Sequence, residues 1–198
     1  MPKHMAISTE LIKKLRDETG ISVMLCRKAL EESGGDMEKA KIVLKRKGQE
    51  AAAKKADRVL GAGTVASYLH GGGTVGSMVV LASETDFVSG NEEFKALARE
   101  IAMQVAATNP EFVKREDITE EAKRAAKEVL LKEVEGKPDN MKEKILEGKL
   151  NAYFSDKVLL EQPFIKNPDQ TILQLVEEAI QKFGEKIEVA KFVRYSAK

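Results

Sequence analysis

Residues that commonly bind metals or carry catalysis are scarce in this sequence. Cys26 is the single cysteine, which excludes an internal disulfide and any site with several cysteine ligands. The two histidines, His4 and His70, lie far apart, and no third ligand is suggested near either. We therefore expect neither a zinc site nor a catalytic histidine. Cys26 follows three apolar residues in an apparent helix, so a buried, inert thiol is its expected state.

Long apolar runs and an excess of charge of one sign are also missing. No run approaches the roughly 20 residues of a membrane-spanning helix, and the N-terminus lacks the apolar core of a signal peptide. We expect a cytoplasmic protein, and Met5 could be a second start that makes Met1 to His4 a dispensable extension. The 33 basic and 32 acidic residues give a net charge of +1, which argues against nucleic acid as the main partner. We expect no direct binding to a membrane either.

The motifs expected of nucleotide-binding proteins and hydrolases fail as well. Residues 71 to 76 have the spacing G-x-G-x-x-G, but a strand follows where a dinucleotide site needs the N-terminus of a helix. Residues 61 to 66 fail for the same reason, and no Gly-Lys-Ser/Thr follows either segment. Neither G-x-S-x-G nor H-E-x-x-H occurs. The sequence therefore predicts no bound nucleotide, no cofactor and no enzymatic activity.

The N-terminal quarter is predicted to be a head of three short helices, residues 1–47. Helix caps mark each helix: Ser8 and Gly20 around the first, Ser22 and Gly34-Gly35 around the second, and Asp36 before the third. Residues 48–57 are small and polar, with an Ala/Lys content typical of a helical or semi-rigid spacer. We place the domain boundary in this spacer.

Residues 58–198 are predicted to form an α+β core domain. Thr64 to His70 and Thr74 to Thr85 alternate as two strands of a hairpin, with the glycines 71 to 73 as its turn. A helix follows, with an apolar stripe from Phe94 to Val105 closed by Asn109-Pro110. Residues 111–168 are predicted to form weaker helices, two of which would begin at Thr119 and Pro138. A strong helix is predicted after Asp169 and ends at Gly184. Ile187 to Tyr195 reads as a third strand, so we expect a small three-stranded antiparallel sheet covered by helices.

Two corners remain where function could lie. The turn from Gly20 to Met24 is apolar for a turn, which suggests a docking surface. The segment Thr85-Asp86-Phe87-Val88 lies between a strand and a helix, where side chains are presented rather than packed in rows. On residue type alone, Phe87 is more often a core residue than a partner-binding one. A chain without reactive groups can still act by binding one state of a partner and shifting that partner's ligand equilibrium.

Both corners resemble signatures of the elongation factor Ts family. Residues 19–30, TGISVMLCRKAL, resemble the N-terminal signature, and residues 85–91, TDFVSGN, resemble the second. Leu11 to Thr19 and Lys191 to Tyr195 also fit, so the similarity runs in order along nearly the whole chain. The first signature usually reads Gly-Ala-Gly-Met-Met-Asp where this chain has Gly-Ile-Ser-Val-Met-Leu. The second usually has Ala-Arg where this chain has Ser-Gly at 89 and 90.

The resemblance implies a guanine-nucleotide exchange factor for elongation factor Tu. It implies that the head is a ubiquitin-associated-like domain that docks on the G domain of the partner, with Gly20, Val23 and Met24 in contact. Thr85 to Val88 would reach the magnesium and phosphate site of the partner. Phe87 would wedge between partner helices, and Asp86 would hold the loop or contact polar groups. GDP would then leave, and the factor would stay bound until GTP binds.

The chain further resembles the short form of the family, with one three-stranded subdomain. Short members are expected to form homodimers, and an edge of the sheet would be a plausible seam. One alternative remains open: a ubiquitin-associated-like adaptor or scaffold without exchange activity. Such an adaptor would have no need of the Asp86-Phe87 corner.

Overall fold

A computed structural model of the chain describes residues 7–134 and 139–197. Met1 to His4 and Pro138, on which two of the sequence predictions fall, lie outside the described residues. In chain order the described elements are α1 (Thr9–Thr19), α2 (Val23–Glu32), α3 (Met37–Lys54), β1 (Ala62–His70), β2 (Val75–Ser83), α4 (Asp86–Ser89), α5 (Glu92–Thr108), α6 (Glu120–Val134), α7 (Asp139–Ser155), β3 (Pro163–Phe164), β4 (Asn167–Thr171), α8 (Ile172–Phe183) and β5 (Ile187–Ser196). The predicted α+β class is confirmed.

The three helices of the head begin where the sequence predicts, and α1 and α2 also end close to their predicted ends. The side chains of Ser8, Ser22 and Asp36 each accept a hydrogen bond from a backbone amide three residues on, which satisfies a donor that the first helical turn leaves unpaired. Gly20 ends α1 in the left-handed region at φ 68°, and its amide donates to Arg16 O at 2.7 Å. The inner faces meet in one buried apolar cluster that includes Cys26, so the thiol is buried as predicted.

Helix α3 continues through most of the predicted spacer, to Lys54. Its seven residues from Gly48 onward keep helical geometry because alanine and lysine both favour it. The chain divides into two compact units, the first from residues 1–64, 81–95 and 174–188, the second from 65–80, 96–173 and 189–198. Our boundary at residues 48–57 stays a prediction.

The three-stranded sheet has the strand order β1-β2-β5. The hairpin between β1 and β2 turns on Gly71, Gly72 and Gly73, all at positive φ, which a side chain would oppose. The predicted apolar stripe of α5 is buried along its whole length, from Phe94 to Val105. Ser77 Oγ in β2 donates to Ala102 O in α5 at 2.6 Å, which satisfies a buried hydroxyl inside this layer.

A second sheet was not predicted: β3 and β4 pair antiparallel between α7 and α8. The expectation of helix throughout residues 111–168 is therefore wrong for this segment. Asp169 lies in β4, and the strong helix predicted after it is confirmed as α8, which begins at Ile172. The sequence gives little warning, because β3 has two residues and β4 is mostly polar. Gln104 on α5 holds the hairpin in place: its amide nitrogen donates to Pro163 O at 3.1 Å, and its amide oxygen accepts from Ile165 N at 2.9 Å.

Arg115 and Glu161 form a bidentate ion pair at the base of the α6–α7 helical hairpin. Arg115 Nε donates to Glu161 Oε1 at 2.6 Å, and its terminal nitrogen donates to Oε2. Ser155 Oγ also donates to Glu161 Oε2, at 2.9 Å. The Arg115 guanidinium, followed by the Ser155 hydroxyl, holds the pKa of the Glu161 carboxyl below its ordinary value of 4.5. The folded state thus favours the charged carboxylate.

Replacing Glu161 by Gln should destabilise the protein in a pH-dependent way. Because the folded pKa is lowered, the contribution of the carboxylate is present above pH 4.5 and is lost as the pH falls through the folded pKa. We expect a loss of about 1 kcal/mol at pH 7 for this partly exposed bidentate pair, shrinking toward zero in acid. Urea unfolding of wild type, Glu161→Gln and the control Glu128→Gln, an exposed carboxylate on α6, measures this. A loss that is equal at pH 7 and pH 3.5 would contradict it.

Candidate functional site

The corner after β2 folds into the short helix α4, which the sequence showed only as a turn. Thr85 has an extended backbone (φ −126°, ψ 159°) and caps α4 by accepting from Val88 N at 3.5 Å. Asp86 is the first helical residue, where a carboxylate interacts favourably with the amide end of the helix. Asn91 then caps α5, its side-chain oxygen accepting from Glu93 N at 2.8 Å. Two capped helices in succession leave α4 only one turn long.

The two sides of α4 differ sharply in exposure. Val88 is 4% exposed and Ser89 is also buried, whereas Phe87 is 84% exposed. Consecutive residues of a helix point about 100° apart, so a buried Val88 places its neighbour Phe87 away from the core. The core-residue alternative for Phe87 is therefore wrong. Thr85 and Asp86 are exposed with it, while Val88 anchors the helix and has no free surface to offer.

The C-terminal end of α4 is fixed to the first strand. Thr64 Oγ1 donates to Ser89 O at 2.7 Å, and Gly90 N closes the turn on Asp86 O at 2.8 Å. A Cβ added at Gly90 would lie 3.0 Å from Asp86 O, which is tighter than ordinary van der Waals contact. Glycine suits this turn, because a side chain at position 90 would crowd the carbonyl of Asp86.

The N-terminal end of α4 is held by a crossed pair of carboxylates. Glu185, in the turn between α8 and β5, accepts from Thr85 N at 3.0 Å and from Thr85 Oγ1 at 2.6 Å. In the other direction, Glu84 accepts from Lys186 N at 2.6 Å. Residues 84 and 85 therefore exchange side-chain to backbone bonds with residues 185 and 186. We call these four residues the crossed clamp.

Glu84 also ties the clamp to the segment that follows α3. Arg58 donates to both Glu84 oxygens, at 3.1 and 3.3 Å, and Lys186 Nζ donates to Ala56 O at 2.6 Å. The Lys186 amide first, and the Arg58 guanidinium after it, hold the pKa of the Glu84 carboxyl below its ordinary value. Glu84 is therefore charged at neutral pH, which the clamp requires because a carboxylate accepts more strongly than a neutral acid.

The head corner presents its apolar side chains unevenly. Met24 is 60% exposed and Val23 is 43% exposed, whereas Ile21 belongs to the buried cluster of the head. Gly20 adds no side chain to this corner, and its left-handed backbone ends α1. A Cβ added there would lie 3.2 Å from Lys182 Nζ, which itself pairs with Glu93 at 2.6 Å. Lys182 of α8 thus lies between the head corner and the first turn of α5, which follows directly on the α4 corner.

Other chemistry finds little support in the part of the chain that the structure describes. No group of three or more His, Cys, Asp or Glu side chains there could hold a metal ion. A surface pocket of about 480 Å³ between α6 and α7 is lined by six charged residues together with Ile118, Leu150, Asn151 and Phe154, and by neither histidine nor cysteine. No described helix is long and apolar enough to cross a membrane.

Sequence reasoning identified the exposed residues of both corners but missed what holds them. All seven predicted site residues lie in one compact unit of the chain. The sequence did not single out Glu84, Glu185 or Arg58, which hold the α4 corner. A contact between residues 85 and 185 leaves no local pattern, so no periodicity or spacing could have revealed it.

The chain is similar to known proteins over nearly its whole length. The family described as "Elongation factor TS" matches residues 25–198. The protein named elongation factor Ts from Desulforamulus reducens is 50% identical over 191 residues, which is 96% of this chain and 88% of that protein. Its namesake from Carboxydothermus hydrogenoformans shows the same identity and coverage. The one from Coprothermobacter proteolyticus is 48% identical over 194 residues, 97% of this chain and 98% of that protein. This chain belongs to the elongation factor Ts family.

Proposed function

We propose that this chain is a cytoplasmic guanine-nucleotide exchange factor that acts on elongation factor Tu by binding alone. Family membership supports the partner, and the exposure of Phe87 supports the site. Full burial of a phenylalanine side chain contributes about 1.5–3 kcal/mol, and at 84% exposure most of that remains available to a partner. An aromatic side chain held out by a capped, anchored helix is a typical centre of a binding surface.

Exchange then follows from differential binding. Phe87 enters the G domain close to the magnesium and phosphate site, between partner helices that must move apart. Asp86 accompanies it and contacts polar groups at the same place. Weakening the magnesium contact removes the charge that neutralises the phosphates of the nucleotide, so GDP dissociates faster. Because the coupling is reciprocal, bound nucleotide weakens the binding of the factor to elongation factor Tu by the same ratio. Incoming GTP therefore releases the factor.

The head supplies the second contact. Val23 and Met24 form an apolar surface on a rigid three-helix domain of ubiquitin-associated-like type, suited to docking on a helix of the G domain. The head contributes affinity for the partner, whereas the α4 corner changes the nucleotide site of the partner. An adaptor without exchange activity would use the head in the same way but would have no use for an exposed Phe87.

A homodimer is also proposed, as expected for a short family member. In addition to the strand edge predicted from the sequence, the sheet offers an apolar face. Val65, Leu69, Met78 and Val193 are all exposed on strands β1, β2 and β5. Strand alternation places them opposite Ala66, Ser77 and Arg194, of which Ser77 and Arg194 bond to α5. An apolar face of this kind is stabilised when a second copy covers it.

Phe87→Ala should slow GDP release without unfolding the protein. We expect release of fluorescent GDP from elongation factor Tu to fall at least about tenfold, equivalent to about 1.4 kcal/mol of barrier. The urea midpoint should hold, because little packing is removed from an exposed position. Val59→Ala, an equally exposed apolar residue elsewhere, is the control. GDP release at the wild-type rate with Phe87→Ala would contradict the proposed role of Phe87. If the wild-type protein does not accelerate GDP release at all, exchange activity is rejected in favour of the adaptor.

Met24→Ala should shorten the lifetime of the complex. Losing apolar contact at a docking surface acts mainly on the dissociation rate, and we expect an increase of about three- to tenfold. Stopped-flow displacement of labelled protein measures it. Met141→Ala on α7, a methionine of similar exposure, is the matched control. An unchanged lifetime would exclude this corner from the interface.

Leu69→Asp should dissociate the homodimer. A charge on the proposed seam costs desolvation in the dimer but not in the monomer. Light scattering at micromolar concentration should give a dimer mass for wild type and for the control Val129→Asp on α6, and a monomer mass for Leu69→Asp. A monomer mass for wild type would overturn the dimer. A dimer that persists in Leu69→Asp would contradict the apolar face as the dimer interface and favour the strand edge.

A further inference from the structure

The carboxylate of Glu185 makes two bonds to a single residue of the α4 corner. Its two oxygens accept separately, one from the amide and one from the hydroxyl of Thr85. Bonds to a charged acceptor are stronger than neutral ones, and two of them fix an orientation as well as a distance. Thr85 is thus held at both its backbone and its side chain by a residue 100 positions away.

The Thr85 hydroxyl connects this contact to the helix itself. Its proton is committed to Glu185, so its oxygen is left to accept from Val88 N as the cap of α4. Hydrogen bonds in such a chain strengthen one another. Val88 N directly follows Phe87, so the orientation of the Glu185 carboxylate is transmitted through two bonds to the backbone that carries the phenylalanine.

The other half of the crossed clamp leaves this role to Glu185. Glu84 bonds to Lys186 N and Arg58, and neither bond reaches α4. If Glu185 were lost, Glu84 would still hold the end of β2 to the turn before β5. The expected consequence is a corner that remains folded but pivots, with α4 losing its fixed direction.

We propose that Glu185 is a positioning residue for Phe87: it orients helix α4 before the partner arrives and does not itself touch the partner. This inference rests on the proposed function, because it assigns to Glu185 the task of aiming the side chain that disturbs the nucleotide site. Preorganisation of this kind lowers the cost of ordering on binding. Small displacements of a group that must reach one place reduce rates strongly.

The test separates an effect on the orientation of Phe87 from an effect on the affinity for the partner. GDP release from elongation factor Tu is measured over a range of factor concentrations for wild type, Glu185→Ala and Glu188→Ala. Glu188 is a matched control, an exposed carboxylate on β5 that pairs with Lys186 rather than with the corner. We expect Glu185→Ala to lower the maximal release rate about fivefold with little change in the half-saturating concentration, which the head largely sets. Equal maximal rates for Glu185→Ala and wild type would overturn the inference.

A double substitution shows whether Glu185 acts through Phe87. On a Phe87→Ala background, Glu185→Ala should cause no further loss, because there is no side chain left to aim. A further fivefold loss on that background would show that Glu185 acts by another route and would overturn the inference. If Phe87→Ala itself releases GDP at the wild-type rate, the proposed function fails instead, so the two failures are distinguishable.

A measurement without the partner completes the design. Amide hydrogen exchange over residues 86–90 of the isolated protein should accelerate about tenfold in Glu185→Ala, while the urea midpoint stays near that of wild type. Unchanged protection at these amides would overturn the positioning role. If Glu185→Ala does not fold, Glu185→Gln takes its place in every arm. Glutamine replaces one of the two accepting oxygens by an NH2 group, which cannot accept from the Thr85 donor that faces it. A partial loss of rate and protection is therefore expected, and wild-type values would overturn the inference.

Discussion

A single turn of helix cannot hold itself in water, and α4 is a single turn. Forming one turn fixes several backbone dihedrals for very few hydrogen bonds, so an isolated four-residue helix is unstable. The chain supplies the missing stability from outside α4: Val88 packs into the core, Thr64 binds the carbonyl of Ser89, and Glu185 binds Thr85. Phe87 can stay in water only because these contacts hold its neighbours. The exposed aromatic is therefore a property of the whole surrounding unit.

The two corners lie on different kinds of scaffold. The head corner lies on three helices that close around one buried apolar cluster. The α4 corner lies where a strand, two helices and the turn before β5 meet, and Glu84 and Glu185 there accept hydrogen bonds from backbone amides. Lys182 stands next to both, near Gly20 on one side and paired with Glu93 on the other. Ion pairs between exposed groups are weak, so the pair between Lys182 and Glu93 adds little to stability.

Much of this fold could be predicted from local signals, and the failures have a common cause. Caps at Ser8, Ser22 and Asp36 and the stripe of α5 are encoded within a few residues, and the structure confirms them. The β3–β4 hairpin carries no such pattern and depends on Gln104, about 60 residues before it in sequence. At the site, residue types identified Phe87 but not its exposure, which depends on Val88 packing inward. The clamp residue Glu185 was beyond reach for the same reason: its partner is distant in sequence.

The separation between Thr85 and Glu185 also sets an order of events during folding. The head needs only residues before Lys54 to close its apolar cluster, so it can fold early and from local contacts. The α4 corner must wait until residues 185 and 186 have been synthesised and the turn before β5 has formed. A chain that ends before residue 185 lacks the carboxylate that binds the amide and the hydroxyl of Thr85. The orientation of α4, and of the Phe87 side chain that it carries, is therefore complete only when the last strand of the sheet is reached.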